Sequence, residues 1–221
     1  MSPAWIAREL DVPRRTLGRW FDEGVRRVEP PRPLPPEPYA YLLGLYLGDG
    51  HISGRAARYL TIACDAGYPG IVDTARAAMT AVAPGHGVWL RRHPVERCVR
   101  VVGYSRWWAV LFPQHGPGLK HARRIRLADW QRAITTAHPR ELVRGLIHSD
   151  GSRFVARQRV AGRTYSYTRY AFCNRSCDIL AIFCDHLDLL GIRWSKPKPD
   201  YIAVDRRSDV AKMDLFVGPK R

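Results

Sequence analysis

The sequence has no long hydrophobic run, and it does not begin with a basic segment followed by an apolar one. Its longest apolar stretch, Tyr39 to Leu47, is far shorter than the roughly 20 residues that cross a bilayer. Cysteines are also few: the 221 residues contain 5, an odd number, spread from Cys64 to Cys184. We therefore expect a cytoplasmic protein with reduced thiols, rather than a membrane-spanning protein or a disulfide-stabilised secreted domain.

Acidic residues are scarce as well. The chain has 20 Asp and Glu against 36 Lys and Arg, which gives a net charge of +16. This balance predicts an acidic polymer as partner and a nucleoid-associated location. Most of the basic residues are arginines, which suit forked contacts to phosphate and guanine, although a GC-rich genome would give the same bias. The hydrophobic fraction of 46% predicts a folded core rather than a disordered chain.

A proline-rich segment divides the sequence near its start. Six prolines fall in the ten residues 29–38, a composition typical of a stiff, extended linker. Residues 1–28 before it predict two short helices, the first capped by Ser2 and the second opened by Pro13. This segment resembles a helix-turn-helix DNA-binding unit. The resemblance implies that the second helix presents three arginines to the major groove, namely Arg14, Arg15 and Arg19.

The chain after the linker contains one pattern twice. Residues 41–50, YLLGLYLGDG, correspond to residues 142–151, LVRGLIHSDG, which places Asp49 and Asp150 101 positions apart. Later segments correspond at a similar offset, so the order of motifs indicates an internal duplication.

The periodicity is similar in the two predicted halves, residues 39–125 and 126–221. Each half predicts an apolar helix, a hairpin, an amphipathic helix, a second hairpin and a short closing helix. The predicted fold class is therefore α+β, a tandem pseudo-twofold repeat with curved antiparallel sheets, preceded by the small all-helical helix-turn-helix unit.

The repeated apolar helix carries a stripe of small residues. They lie four apart, so they share one helix face and allow another backbone to approach closely: Gly44 with Gly48, and Gly145 with Ser149. We expect the two stripes to pack on each other. The glycines that follow, Gly50 and Gly151, are interpreted as left-handed residues that end each helix.

Asp49 and Asp150 would then lie at the last turns of these helices. A carboxylate there faces the negative end of the helix dipole, which costs roughly 0.3 to 1 kcal/mol. Two such carboxylates at converging helix ends indicate a positive group between them. Carboxylate and carbonyl oxygens suit a divalent cation such as magnesium, and such a cation assists phosphodiester hydrolysis.

The two segments ending in Asp-Gly resemble the paired motifs of LAGLIDADG homing endonucleases of the single-chain, two-repeat type, over residues 38 to 221. The resemblance implies a DNA endonuclease whose sheets lie along the major groove and whose aspartates each serve one strand. Mg²⁺, Mn²⁺ or Ca²⁺ would be held by Asp49 and Asp150 with Gly48 and Ser149. Members of the family usually have a basic residue near the metal-bound water, contributed by the second hairpin of each half. The repeat alignment assigns this assisting role to Arg91 and Lys196, with Arg92 and Lys198 as alternatives.

The first hairpin of the second half is the strongest candidate for a DNA contact surface, because arginines alternate there with aromatic residues. The predicted DNA-contacting residues are Arg153, Arg157, Arg159, Arg163, Tyr165, Tyr167 and Arg169. Both halves of the interface are on one chain, so we expect a monomer on double-stranded DNA. The alternative hypothesis is a sequence-specific regulator that keeps the fold without cleaving DNA. Leu47 and His148 replace the first acidic position of the motif, which the family tolerates.

Overall fold

The computed structural model describes residues 33–54, 58–92, 97–160, 162–218 and 220. The predicted helix-turn-helix unit, with Arg14, Arg15 and Arg19, lies outside these residues, as do residues 29–32 of the proline-rich linker. Those assignments stay predictions.

The first repeat begins with the apolar helix α1 (Pro36–Asp49), which continues directly into strand β1 (Gly50–Ser53). Strand β2 (Tyr59–Asp65), helix α2 (Pro69–Val82), strands β3 (Val88–Arg92) and β4 (Cys98–Tyr104) and the short helix α3 (Trp108–Leu111) complete it. The four strands form an antiparallel sheet in the order β1-β2-β4-β3.

The second repeat follows a 3-10 turn (Lys120–Ala122) and helix α4 (Asp129–Ala137). Its elements are helix α5 (Pro139–Asp150), strands β5 (Gly151–Val160) and β6 (Arg163–Cys173), helix α6 (Cys177–Leu189), strands β7 (Ser195–Lys198) and β8 (Tyr201–Val204) and helix α7 (Arg207–Asp214). The second sheet has the matching order β5-β6-β8-β7 and is also antiparallel. The α+β class and the repeated architecture are thus as predicted.

Helix α1 is apolar on every side because it is enclosed by protein. All nine residues from Tyr39 to Leu47 are buried, and burying each leucine contributes about 1.5–3 kcal/mol. The helix begins at Pro36, inside the predicted linker, since proline is well tolerated in a first helical turn. Among the helices described, none combines the length and hydropathy needed to cross a membrane.

Helices α1 and α5 pack against each other through the predicted small-residue stripes. A Cβ atom added at Gly44 would come 2.5 Å from the carbonyl oxygen of Leu142, and one at Gly145 would clash with the carbonyl oxygen of Tyr41. Only glycine permits two backbones to approach this closely. The contact brings the C-terminal ends of the two helices together.

The interpretation of Gly50 and Gly151 as left-handed residues is wrong. Both are extended, with φ of −84° and −100°, and both begin a strand. Glycine fits there for a steric reason: a Cβ atom at Gly50 would lie 2.8 Å from the Tyr46 carbonyl oxygen, and one at Gly151 would lie 2.8 Å from that of Ile147. The chain therefore leaves each helix directly into a strand.

Candidate active site at the paired helix ends

The carboxylates of Asp49 and Asp150 end the two packed helices and interact electrostatically with each other. Partial desolvation and the charge of Asp150 raise the pKa of Asp49 to about 6, even though the residue keeps an exposed surface. Desolvation also raises the pKa of Asp150, while an amide hydrogen bond of 2.7 Å from Asn174 opposes that rise. Both carboxylates thus lie in a site that disfavours uncompensated negative charge.

Lys120 delivers a positive charge to the end of α1. Its ammonium group donates to three successive carbonyl oxygens, those of Tyr46, Leu47 and Gly48, with 3.1 Å and 2.8 Å to the last two. Burial lowers the pKa of Lys120 to about 8, while the nearby charges of Asp150 and Asp49 favour its protonated form. An ammonium group here also compensates the negative end of the helix dipole.

Lys220 does the same at the end of α5. It donates to the carbonyl oxygens of Ser149 and Gly151 and lies 5.9 Å from the ring centre of Tyr68 in the first repeat. Burial lowers its pKa, and the charges of Asp49 and Asp150 oppose that shift. Both carboxylates therefore share the field of two lysines.

The sequence reasoning did not identify these lysines. The chain holds only five lysines, and two of them end the triplets Gly118-Leu-Lys120 and Gly218-Pro-Lys220, which lie 100 positions apart. This spacing is nearly the 101 positions that separate Asp49 from Asp150. Extending the repeat alignment to these triplets would therefore have identified both lysines. Two lysines of the chain therefore bring positive charge near both carboxylates, and the predicted metal ion stays a prediction.

An open cleft of about 460 Å³ lies beside Asp150. Lys120 from the first repeat and Asn174 from the second line the same cleft, so the two repeats build one site jointly. His51, His115 and His121 also line it. Gly48, in the last turn of α1, lines the cleft as well.

The donor set fits a divalent cation at the carboxylates, because Asp49 and Asp150 are hard oxygen donors. Desolvation raises the pKa of both groups, so an added positive charge would favour their ionised forms. The predicted carbonyl ligands are less available. The carbonyl oxygens of Gly48 and Ser149 already accept hydrogen bonds from Lys120 and Lys220. Within the described part of the chain, no group of three or more His, Cys, Asp or Glu side chains is arranged to hold a metal ion.

Arg91 and Lys196, the predicted assisting residues, are exposed residues of the edge strands β3 and β7. Strand pairing also corrects their alignment. Arg91 pairs with Arg100, and the residue that occupies the matching place in the second sheet is Lys198, which pairs with Tyr201. An irregularity between Ser195 and Lys198 shifts the register, so Lys198, the stated alternative, is the counterpart of Arg91.

The predicted DNA-contacting residues of the β5–β6 hairpin divide between two faces, because side chains alternate along a strand. Arg153, Arg157 and Arg159 share the face that carries the buried Tyr170 and Phe172 nearer the core. The opposite face carries the remaining four: Arg163, Tyr165, Tyr167 and Arg169.

Two of these arginines are held by carboxylates. Arg153 donates to both carboxylate oxygens of Asp214 at 2.8 and 2.9 Å, and Arg169 is paired with Asp205. Arg157, Arg159 and Arg163 are exposed. The outer part of the hairpin therefore offers the more accessible charge.

The open face of the first sheet carries an aromatic group that sequence reasoning did not single out. Tyr59 lies 6.3 Å from Trp89 and 5.3 Å from Tyr104 between ring centres, and Arg58 donates to the Tyr104 hydroxyl. Arg91 lies on the same face. Rings with an adjacent cation form a surface suited to nucleic acid.

No protein-family model matches the sequence, and no curated protein matches it. Solved structures do resemble it. Full-length DUF199/WhiA from Thermatoga maritima is 15% identical with a TM-score of 0.53, over 86% of this chain and 58% of WhiA. The chain thus spans little more than half the length of that protein.

Two further similar structures are nucleases. Mesophilic variants of the homing endonuclease I-DmoI are 14% identical with a TM-score of 0.52, over 82% of this chain and 95% of I-DmoI. The LAGLIDADG meganuclease I-AabMI bound to uncleaved DNA is 10% identical with a TM-score of 0.51, over 80% and 82%. At these identities the likeness establishes a LAGLIDADG-type fold.

Proposed function

We propose that this protein is a site-specific, double-strand DNA endonuclease that depends on a divalent metal ion. The observation that carries the proposal is the joining of two carboxylates and two lysines at one pair of helix ends. A fold alone carries no chemistry. A pair of acidic helix ends with half-buried ammonium groups beside it can, however, hold a cation and stabilise the charge that develops in phosphodiester hydrolysis.

Asp49 and Asp150 would hold the metal, most simply Mg²⁺. When bound, the metal supplies charge stabilisation to the attacking and leaving oxygens. The chain itself supplies proton transfer: the Nζ atom of Lys120, with a pKa of about 8, exchanges a proton close to neutral pH. Lys220 takes the corresponding place at the other helix end.

Double-stranded DNA would lie across the two sheets, in contact with the β5–β6 hairpin and the aromatic group around Tyr59. One chain provides both motif helices, so a monomer suffices to reach both strands. The likeness to I-AabMI, solved bound to uncleaved DNA, supports DNA as the partner.

The test is cleavage of a library of random duplexes with and without Mg²⁺, followed by Asp49→Asn and Asp150→Asn. We expect metal-dependent double-strand breaks that both variants abolish while DNA binding persists. Asp73→Asn, the same chemical change on the exposed face of α2, is the matched control and should cleave normally. Cleavage that survives both substitutions at the helix ends would refute the assignment.

A non-cleaving, sequence-specific DNA-binding regulator is the second candidate. WhiA is a DNA-binding regulator, and the chain resembles it to about the same degree as it resembles the nucleases. This likeness favours the second candidate. Tight, selective binding without cleavage under any metal condition would establish this alternative.

A further inference from the structure

His148 has two hydrogen-bonding partners, and they belong to different elements. Its Nδ1 atom lies 2.9 Å from the hydroxyl of Tyr41 on α1, and its Nε2 atom lies 3.1 Å from the carbonyl oxygen of Val217, beyond α7. A carbonyl oxygen only accepts, so Nε2 carries the hydrogen. Nδ1 of the neutral ring then accepts from Tyr41. The residue is 8% exposed, and each ring nitrogen has a hydrogen-bonding partner.

The segment that His148 contacts leads directly to Lys220. Val217 is buried and Gly218 has a φ of +69°, a turn that glycine adopts without strain. Lys220 follows two residues later and donates to the end of α5. Helix α5 therefore contacts this segment through the His148 side chain and the Ser149 carbonyl oxygen, and the first residue of β5 contacts it through the Gly151 carbonyl oxygen.

The first repeat holds its lysine in another way. The repeat alignment places Leu47, which has no polar side chain, at the position of His148. Arg123 instead donates to four carbonyl oxygens of the preceding loop, those of Gln114, Gly116, Pro117 and Gly118, at 2.7 to 3.0 Å. One guanidinium group thus fixes the loop that leads to Lys120.

We propose that His148 is a positioning residue that fixes the terminal segment through its hydrogen bond to Val217 and so places the Lys220 ammonium group at the end of α5. The placement of Lys220 follows from the hydrogen bonds that join His148 to Val217 and Lys220 to Ser149 and Gly151. Its consequence for catalysis rests on the proposed nuclease function, where loss of His148 would impair the site served by Lys220 and spare the one served by Lys120.

The direct test is the rate at which a small acylating reagent, N-acetoxysuccinimide, modifies each lysine of the full chain, measured by mass spectrometry. His148→Leu reproduces the residue of the first repeat. His148→Gln keeps an amide near the place of Nε2, whereas His148→Asn reaches only that of Nδ1. We expect Lys220 to react about 2- to 10-fold faster in the Leu and Asn variants, the range for one lost hydrogen bond, and close to the native rate in the Gln variant.

Lys120 and the exposed Lys196 are the internal references and should keep their native rates. The reciprocal variant Arg123→Met should release Lys120 and leave Lys220 protected. An unchanged rate at Lys220 in the Leu and Asn variants would overturn the proposal. So would equal acceleration of Lys120 and Lys220, which indicates general loosening, or equal rates at Lys220 in the Gln and Asn variants. The Gln and Asn pair decides the matter if the Leu variant does not fold.

Strand-resolved cleavage provides the second measurement. On a plasmid carrying a selected target, His148→Leu should accumulate nicked circles, because one strand is still cut at the native rate, and His148→Gln should restore linear product. Equal slowing of both strands would contradict a role confined to Lys220. If the native protein cleaves no duplex, the nuclease proposal fails, and the acylation rates still decide whether His148 positions Lys220.

Discussion

The two repeats place the same charge at the same point with different structures. The first delivers Lys120 from an internal loop gathered around Arg123, and the second delivers Lys220 from a terminal segment held by His148. Both lysines donate to backbone carbonyl oxygens at a helix end, whereas the contacts that hold the segments around them differ. The comparison shows that the pseudo-twofold relation is strict where the motif helices touch and loose in the segments that bring the charges to them.

The carboxylates differ in the same manner. Asp150 accepts a hydrogen bond from Asn174, which lies two residues beyond Phe172. The matching ladder position in the first repeat is Cys64, two residues beyond Ile62. Burial and the charge of Asp49 raise the pKa of that thiol to about 12, so it stays protonated. Within the described residues, the carboxylate of Asp49 has no hydrogen-bond partner. The C-terminal ends of α1 and α5 are therefore chemically unequal.

The largest expected effect separates the lysines that contact the site from the basic residues chosen from sequence. Lys120→Met and Lys220→Met should each slow cleavage of one strand by about 100-fold or more, the usual contribution of a positioned proton-transfer group. Arg91→Met and Lys196→Met should change binding more than cleavage. Single-turnover rates on a bound duplex distinguish the two steps, and the opposite ranking would restore the assignment to the edge strands.

A second prediction concerns the helix contact, where the repeats are most alike. Gly44→Ala and Gly145→Ala should each lower the free energy of unfolding by about 1–3 kcal/mol, because the new methyl group meets backbone atoms that have no room to move. Urea unfolding measures the loss. Gly87→Ala is the control, since its nearest atoms lie 3.8 Å from the added Cβ. Equal midpoints for Gly145→Ala and Gly87→Ala would disprove tight packing.

A third prediction uses the long hairpin of the second repeat, whose strands have 10 and 11 residues against 4 and 7 in the first. Arg157→Ala should reduce the slope of log affinity against log salt concentration by about 1, as expected for one lost phosphate contact. Arg153→Ala should change the slope less, because Asp214 already neutralises Arg153. Titrations at several salt concentrations give the slopes, and a native slope for Arg157→Ala would remove that residue from the interface.

The smallest effect is the pH dependence of stability. The folded-state pKa of Asp49 is raised to about 6, so the folded protein binds more protons than the unfolded chain between about pH 4 and pH 6. This contribution to stability is complete at the acid end of the window and is lost as the pH rises through it. Asp49→Asn should therefore flatten the curve of urea midpoint against pH.

Asp150→Asn should flatten the same curve less, because Asn174 stabilises the ionised form of Asp150. Histidine titration is common to all three proteins and cancels in the comparison. If the urea midpoint depends more steeply on pH in Asp49→Asn than in Asp150→Asn, folding raises the pKa of Asp150 more than that of Asp49. The asymmetry between the two carboxylates would then have the opposite sense.

The sequence alone determined the fold class, the repeat, the packing of α1 on α5 and the meeting of Asp49 with Asp150. These follow from local periodicity and from two similar segments, because glycines four apart form a stripe wherever a helix exists. It did not determine the backbone conformation at Gly50 and Gly151. A glycine directly after a helix is compatible with a left-handed helix end and equally with a direct transition from helix to strand.

Only the tertiary structure decided which cations reach the carboxylates. Lys120 lies 71 residues after Asp49, and Lys220 lies 70 after Asp150, so no local pattern connects them. The β-sheet register likewise decided that Lys198 matches Arg91, because an irregularity inside β7 shifts the pairing. Spacing along a chain specifies which residues share an element, whereas the path of the connecting loops specifies which charges meet, and that path depends on contacts such as those of Arg123 and His148.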